Sequence, residues 1–322
     1  MRVSISITNF SWRTDLRTAL ARVARAADDG GLYGVWVADH LLQADPYGAR
    51  PGETEMLEAY ATLGFLAGIT ERVRLGTMVT GVTFRPPALL VKAVTTLDVV
   101  SGGRALFGVG AGYEGAEAAA MGLPLPPVAE RFERLEETLR IALQMWAGDE
   151  SRFAGRHYTL EQPVSSPAPV SRPRPPILIG GTGEKRTLPL VARYADACNV
   201  FDVPDGGATV RHKLEVLAGL CAEVGRPYAE IEKTIATRWA AGESAGAFAE
   251  RCRGLAELGI DHVCVVTTGP WTDDGVATLS EAARELGQVG GDQPGETEPG
   301  EAGAAEAGAG EVGAGEAEPA GA

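Results

Sequence analysis

The chain has 322 residues, 45% of them hydrophobic, and a formal net charge of −14. That is enough apolar material for one large buried core, while the acidic balance excludes nucleic acid and anionic membrane as partners. No uninterrupted apolar run of about 18 residues occurs, so no membrane span is expected; the four cysteines (Cys198, Cys221, Cys252, Cys264) form no CxxC pair, which predicts small buried residues and no disulfide framework or metal site.

The opening MRVSISITNF alternates like a strand and lacks the parts of a signal peptide, so a cytoplasmic protein is expected. Strands are predicted at 3–7, 34–39, 73–80, 105–109, 176–180, 197–200, 233–239 and 262–267. Several are near-continuous apolar runs, as parallel strands covered on both faces require. Helical patterns lie between them. Leu16, Leu20, Val23 and Ala27 share one face, as do Phe132, Leu135, Leu139, Leu143 and Trp146. Ser244 is placed to cap a helix carrying Phe248, Cys252 and Leu255.

Eight strands alternating with helices within residues 1–289 predict an α/β fold of the (β/α)8 TIM-barrel class. A doubly wound open sheet is disfavoured, because no GxGxxG follows the first strand. Three stretches between core elements are long: 40–58, 112–129 and 149–175. The first two follow the second and fourth strands and so fall at the C-terminal face of a barrel, where active sites form. The third is Pro-rich, with a hairpin expected around 153–160. Residues 290–322 carry eight acids and no Lys or Arg, with Val312 as their one larger apolar side chain. That composition predicts a disordered acidic tail, separate from the 1–289 domain.

Four clusters just after predicted strands bear on chemistry. VADHLL places Asp39 and His40 at the end of the second strand, and His40 is one of only four histidines. Its proton affinity suits acid–base work near neutrality. The other three, His157, His212 and His262, read as structural or exposed. LGTMVTGVTFRPP supplies Thr77, Met78 and Val79 after the third strand. GVGAGYEGAE follows, and its Gly108, Gly110 and Gly112 alternate where missing side chains let a flat ring approach, although glycines also relieve crowding at barrel corners. Last comes an apolar strand ending in Gly180, Gly181, Thr182 and Gly183 before a helix. Backbone N–H groups and the dipole at such a start bind anions, so a phosphate site is expected. The spacing is not that of a nucleotide-triphosphate P-loop.

Together these segments resemble the luciferase-like monooxygenase superfamily, in particular its F420-dependent branch. VWVADHLL, RVRLGTMVTGVTFRPPALLVKAVTTLDVVSGGRALFGVGAGY, GLPLPPVAERFERLEETLRIALQMW and PPILIGGTGEKRTLPLVARYADACN look like its signatures, in its order. The resemblance implies a TIM barrel with coenzyme F420 (or FMN) across its C-terminal mouth. Asp39 and His40 would contact the ring, with His40, Asp39 and Tyr113 as catalytic candidates. Met78 and Val79 would form a bulge under the ring, often with a non-prolyl cis peptide, and Thr77 beside them would be a further cofactor contact. Gly108, Val109, Gly110 and Gly112 would line its edge, and Gly180, Gly181, Thr182 and Gly183 would hold the phosphate.

One departure is informative. Sugar-phosphate dehydrogenases of this branch carry a glutamate after the glycine strand, where this chain has Tyr113, with Glu114 and Glu117 further on. Proton handling then falls to His40 or Tyr113. The expected function is an F420-dependent oxidoreductase acting on a small-molecule substrate. The alternatives are an FMN-dependent monooxygenase supplied by a partner reductase, and a cofactor-binding barrel without turnover. A homodimer is expected.

Overall fold

The computed structural model describes residues 1–42, 55–240 and 242–287. The acidic tail and most of the 40–58 stretch lie outside the described residues. The chain begins with β1 (Arg2–Ile7), α1 (Leu16–Asp29), β2 (Gly34–Val37), α2 (Ala59–Ala67), β3 (Arg74–Thr77), β4 (Thr80–Gly81) and α3 (Pro87–Val100). It continues through β5 (Ala105–Gly110), α4 (Gly115–Met121), α5 (Val128–Trp146), β6 (Phe153–Ala154), β7 (Thr159–Leu160) and β8 (Ile177–Gly180). The last elements are α6 (Thr187–Tyr194), β9 (Ala197–Phe201), α7 (Ala208–Glu223), β10 (Glu232–Arg238), α8 (Ala245–Glu257), β11 (His262–Val266) and α9 (Asp273–Glu285).

β1, β2, β3, β5, β8, β9, β10 and β11 pair in parallel, in the ring order β3-β2-β1-β11-β10-β9-β8-β5. Pairing of β3 with β5 (Leu75 opposite Ala105) closes the ring. The result is the expected TIM barrel, and all eight predicted strands are present to within one or two residues at most ends. β4 is a two-residue continuation beyond a break in the third strand.

Strand alternation decides which side chains look inward. Val3, Ile5 and Ile7 of β1 pack outward with Leu20, Val23 and Ala27 of α1, while Phe107 and Val109 of β5 pack outward with Leu135 and Leu139 of α5. Trp36, Leu106, Leu178, Ala197 and Cys264 form a separate cluster, with Met78 and Val79 packed against it. Helix starts follow capping chemistry. Asp15, Glu58, Ser244 and Thr272 each accept a backbone N–H of their first turn, and Pro87 occupies the first turn of α3. All four cysteines are buried and free, as expected.

The long stretches are tied down by buried carboxylates. Asp98 accepts from the Val170 and Ser171 N–H groups (2.7 and 2.8 Å) and from the Ser171 hydroxyl (2.6 Å). Glu137 accepts from Arg156, His157 and Tyr158 N–H groups and thereby holds the β6–β7 hairpin, which lies where the sequence predicts one. The 112–129 stretch is not all loop, because Glu114 caps the short α4 inside it.

Candidate active site

At the mouth of the barrel, β3 and β4 are separated by a cis Met78–Val79 peptide. The bulge is held from behind. Thr77, buried between neighbouring strands, donates its hydroxyl to the Gly108 carbonyl (2.8 Å) and lies 2.9 Å from the Thr80 hydroxyl, which in turn meets Tyr60 at 3.0 Å. Three glycines give the bulge its room. A Cβ on Gly108 would stand 1.8 Å from the Thr77 carbonyl oxygen, and one on Gly110 or Gly180 would come within 2.9 Å of a Val79 methyl. The space at Gly110 and Gly180 is therefore taken by the protein's own Val79 and that at Gly108 by the Thr77 carbonyl, and the flat wall at this place is the bulge they accommodate.

Asp39 and His40 follow β2 directly but serve different partners. The Asp39 carboxylate, 2% exposed, receives a two-pronged contact from Arg85 (2.6 and 3.0 Å). Arg85 also pairs with Glu58 and lies over the Tyr60 ring at 4.9 Å. Burial opposes the Arg85 charge, yet Asp39 and Glu58 more than offset it and raise its pKa above the ordinary arginine value. Burial likewise opposes ionisation of Glu58, but the Ala61 N–H and Arg85 outweigh it and leave its pKa lowered.

His40 turns instead to Glu117 of α4, whose side chain is 1% exposed. Its Nδ1 lies 2.8 Å from Glu117 Oε2, while Glu117 Oε1 accepts the Leu41 and Leu42 N–H groups at 2.5 and 2.9 Å. The other ring nitrogen, Nε2, lies 3.4 Å from the Tyr113 hydroxyl, and the two rings meet edge to face with centroids 5.7 Å apart. Most of the Tyr113 ring is exposed. Partial desolvation of its hydroxyl, together with Glu114 and Glu117, raises its pKa above the tyrosine value, so it remains a proton donor at neutral pH.

On the neighbouring side, Gly181 (φ 115°) adopts a conformation that favours glycine, and its N–H donates to the Asn199 carbonyl (3.3 Å). Helix α6 starts at Thr187, not directly after Gly183 as the sequence suggests, because residues 184–186 form a turn first. Among the described residues, no acceptor meets the N–H groups of Thr182, Gly183, Glu184 or Lys185. An open set of backbone donors ahead of a helix suits an anion.

The structure thus gathers His40, Asp39, Tyr113, Met78, Val79, Gly108, Gly110, Gly112 and the 180–183 turn at one end of the barrel. Asp39, next to His40 in the chain, meets Arg85 with both of its carboxylate oxygens. The structure corrects two expectations. Val109 does not line the mouth, since alternation along β5 turns it into the outer core. Thr77 is buried behind the bulge and its hydroxyl is used there. Sequence reasoning also missed Glu117 as the partner of His40. Its signal was the one charge in an otherwise apolar helix, GAEAAAM. Arg85 was missed as well; its signal was a charge set immediately before the helix-starting prolines.

A family model described as luciferase-like monooxygenase matches residues 1–313. An F420-dependent glucose-6-phosphate dehydrogenase of Kineococcus radiotolerans is 30% identical over 250 residues, which is 75% of this chain and 69% of that protein. One of the same name from Amycolatopsis mediterranei is 34% identical over 186 residues, 55% of this chain and 50% of its own length. For several such relatives the match spans about half their length. A solved F420-dependent secondary alcohol dehydrogenase in complex with an F420-acetone adduct superposes with a TM-score of 0.76 at 18% identity, covering 88% of this chain and 98% of that one. A coenzyme F420-dependent tetrahydromethanopterin reductase of Methanopyrus kandleri gives 0.73 at 16%, covering 88% and 99%; both show the shared fold. The chain belongs to the luciferase-like monooxygenase family.

Proposed function

We propose that this member of the luciferase-like family is an oxidoreductase that takes coenzyme F420 into the barrel mouth and exchanges a hydride with a small alcohol or carbonyl compound. The observation that carries the reading is His40. It stands at the C-terminal end of β2, with Nδ1 on a buried carboxylate and Nε2 facing the exposed Tyr113 hydroxyl. That is the arrangement of a base prepared to exchange one proton at Nε2.

The residues present fit such a cofactor. Val79, wedged against Gly110 and Gly180, offers a rigid wall for one face of a flat ring. Beside Gly112, the Thr83 hydroxyl and Arg131 Nε are buried with no hydrogen-bond partner among the described residues. The open N–H groups of residues 182–185 suit a phosphate. When bound, the deazaflavin supplies the carbon that gives or takes the hydride. The chain's own part is to hold the ring side with Met78 and Val79, hold the anion at the open N–H groups of the turn after Gly181, from Thr182 and Gly183 onward, and move a proton at His40 Nε2. Asp39, buried and held at both oxygens by Arg85, backs the same rim.

The curated relatives support F420 over FMN, while Tyr113 in place of a glutamate argues against a sugar-phosphate substrate. We further place the protein in the cytoplasm as a homodimer, with reduced cofactor provided by a separate enzyme; no helix among the described residues is long and apolar enough to cross a membrane. Fluorescence titration with F420 and with FMN tests the reading. Tighter binding of F420 is expected, and tighter binding of FMN would overturn it in favour of a flavin monooxygenase.

A further inference from the structure

We propose that Glu117 is a positioning residue that fixes the tautomer of His40, so that the neutral ring carries its proton on Nδ1 and its lone pair on Nε2, toward the reacting side. The inference rests on the functional reading above only for its catalytic consequence; the tautomer itself follows from the contacts.

Three nitrogens converge on the Glu117 carboxylate. Oε1 takes the N–H groups of Leu41 and Leu42, and Oε2 faces His40 Nδ1 at 2.8 Å. Backbone N–H groups only donate, and both of them converge on Oε1, which leaves Oε2 to the imidazole. An ionised carboxylate only accepts, so Nδ1 must be the protonated nitrogen. In the neutral imidazole the lone pair then lies on Nε2, and the hydroxyl of Tyr113, 3.4 Å away, is the donor to it. A substrate hydroxyl that replaces Tyr113 at this nitrogen meets an acceptor, which is what alcohol oxidation needs. In the reverse direction the same nitrogen returns the proton. Glu117 closes the chain at residues 41 and 42 and aims the base with one side chain.

Glu117→Gln gives a sharp test because the backbone dictates how the amide sits. Two N–H donors at the Oε1 position demand the amide oxygen there, which turns the NH2 group toward Nδ1. Nδ1 must then accept, and the proton moves to Nε2. The measurement is long-range 1H–15N NMR on protein labelled at histidine, with His40→Gln assigning its signal among four histidines. Nδ1–H in the native chain and Nε2–H in Glu117→Gln support the proposal. Neutral His40 carrying its proton on Nε2 in the native chain overturns it, and this arm needs no variant to fold. An unaltered tautomer in folded Glu117→Gln also overturns it. With a substrate, the variant should lose about 10²–10⁴-fold in kcat at unchanged cofactor affinity. Since the spectra use no cofactor, preference for FMN would defeat the functional reading alone.

Discussion

Arg104 stands just before β5 at the floor of the barrel, and Arg85 just after β4 at its mouth. Both are largely buried. Arg104 spends all five of its N–H bonds on the structure around it: the carbonyls of Ala67, Thr70, Val73 and Ser101, and the Thr70 hydroxyl, at 2.8 to 3.0 Å. It finishes the end of α2 and the turn into β3. Arg85 spends its contacts on two carboxylates and a ring. The buried acids divide in the same way. Asp28 at the floor accepts the N–H groups of Glu71, Arg72 and Val73, whereas one donor of Glu117 is a histidine whose other nitrogen faces the exposed Tyr113 hydroxyl. Arg104 and Asp28 at the floor complete the backbone; Arg85 and Asp39 at the mouth hold side chains in place.

The largest effect should come from breaking the floor. Arg104→Ala strands several buried acceptors at about 1–3 kcal/mol each, so a stability loss of roughly 5 kcal/mol is expected in urea unfolding. If cofactor affinity collapsed in protein that remained folded, the division between the two ends would fail. At the mouth, His40→Ala should lower single-turnover hydride transfer by about 10²–10⁴-fold and leave the melting temperature close to native. A matching loss of melting temperature would make His40 a packing residue.

Gly181→Asp should weaken cofactor binding by about tenfold or more, since it adds a carboxylate where the backbone meets an anion. An unchanged dissociation constant in folded protein would remove this turn from the site. The floor should also show itself in pH. Burial works against a charge on His262, but Cys264 and Glu232 beside its ring push its pKa up to about 10. Burial raises that of Glu232, yet His262 and Arg2 bring it down to about 2. A raised histidine stabilises fully below its unfolded value of 6.5 and loses that contribution as pH climbs toward 10. A depressed carboxylate loses its contribution as pH falls from 4.5 toward 2. Melting temperature should therefore decline on the alkaline side, and His262→Asn should flatten that decline; an unaltered slope would assign it to other groups. The smallest effect is expected from deleting 290–322, which should leave melting temperature and cofactor affinity as they are.

The barrel was legible because its signals are local. Apolar runs such as 34–37 and 197–200 read as strands on their own, and Ser244 reads as a cap from its immediate neighbours. The site was legible where chain order equals spatial order, as in Asp39 and His40 at a strand end. It failed where partners come from afar. Glu117 reaches His40 across 77 positions and Arg85 reaches Asp39 across 46, and no spacing rule links residues so separated. Val109 differs: the family resemblance named a continuous stretch of the strand, while the strand's period of two turns Val109 outward between the glycines.

The bulge constrains how this sequence can drift. Gly110 and Gly180 are barred from larger residues mainly by the Val79 methyls. If Val79 first became alanine, a side chain at either position would meet space in place of a methyl group. Gly108 gains no such freedom, because its obstacle is the Thr77 carbonyl. Substitutions around the mouth are therefore order-dependent. A descendant with alanine at 110 or 180 should have lost Val79 beforehand, whereas the glycine at 108 should outlast both.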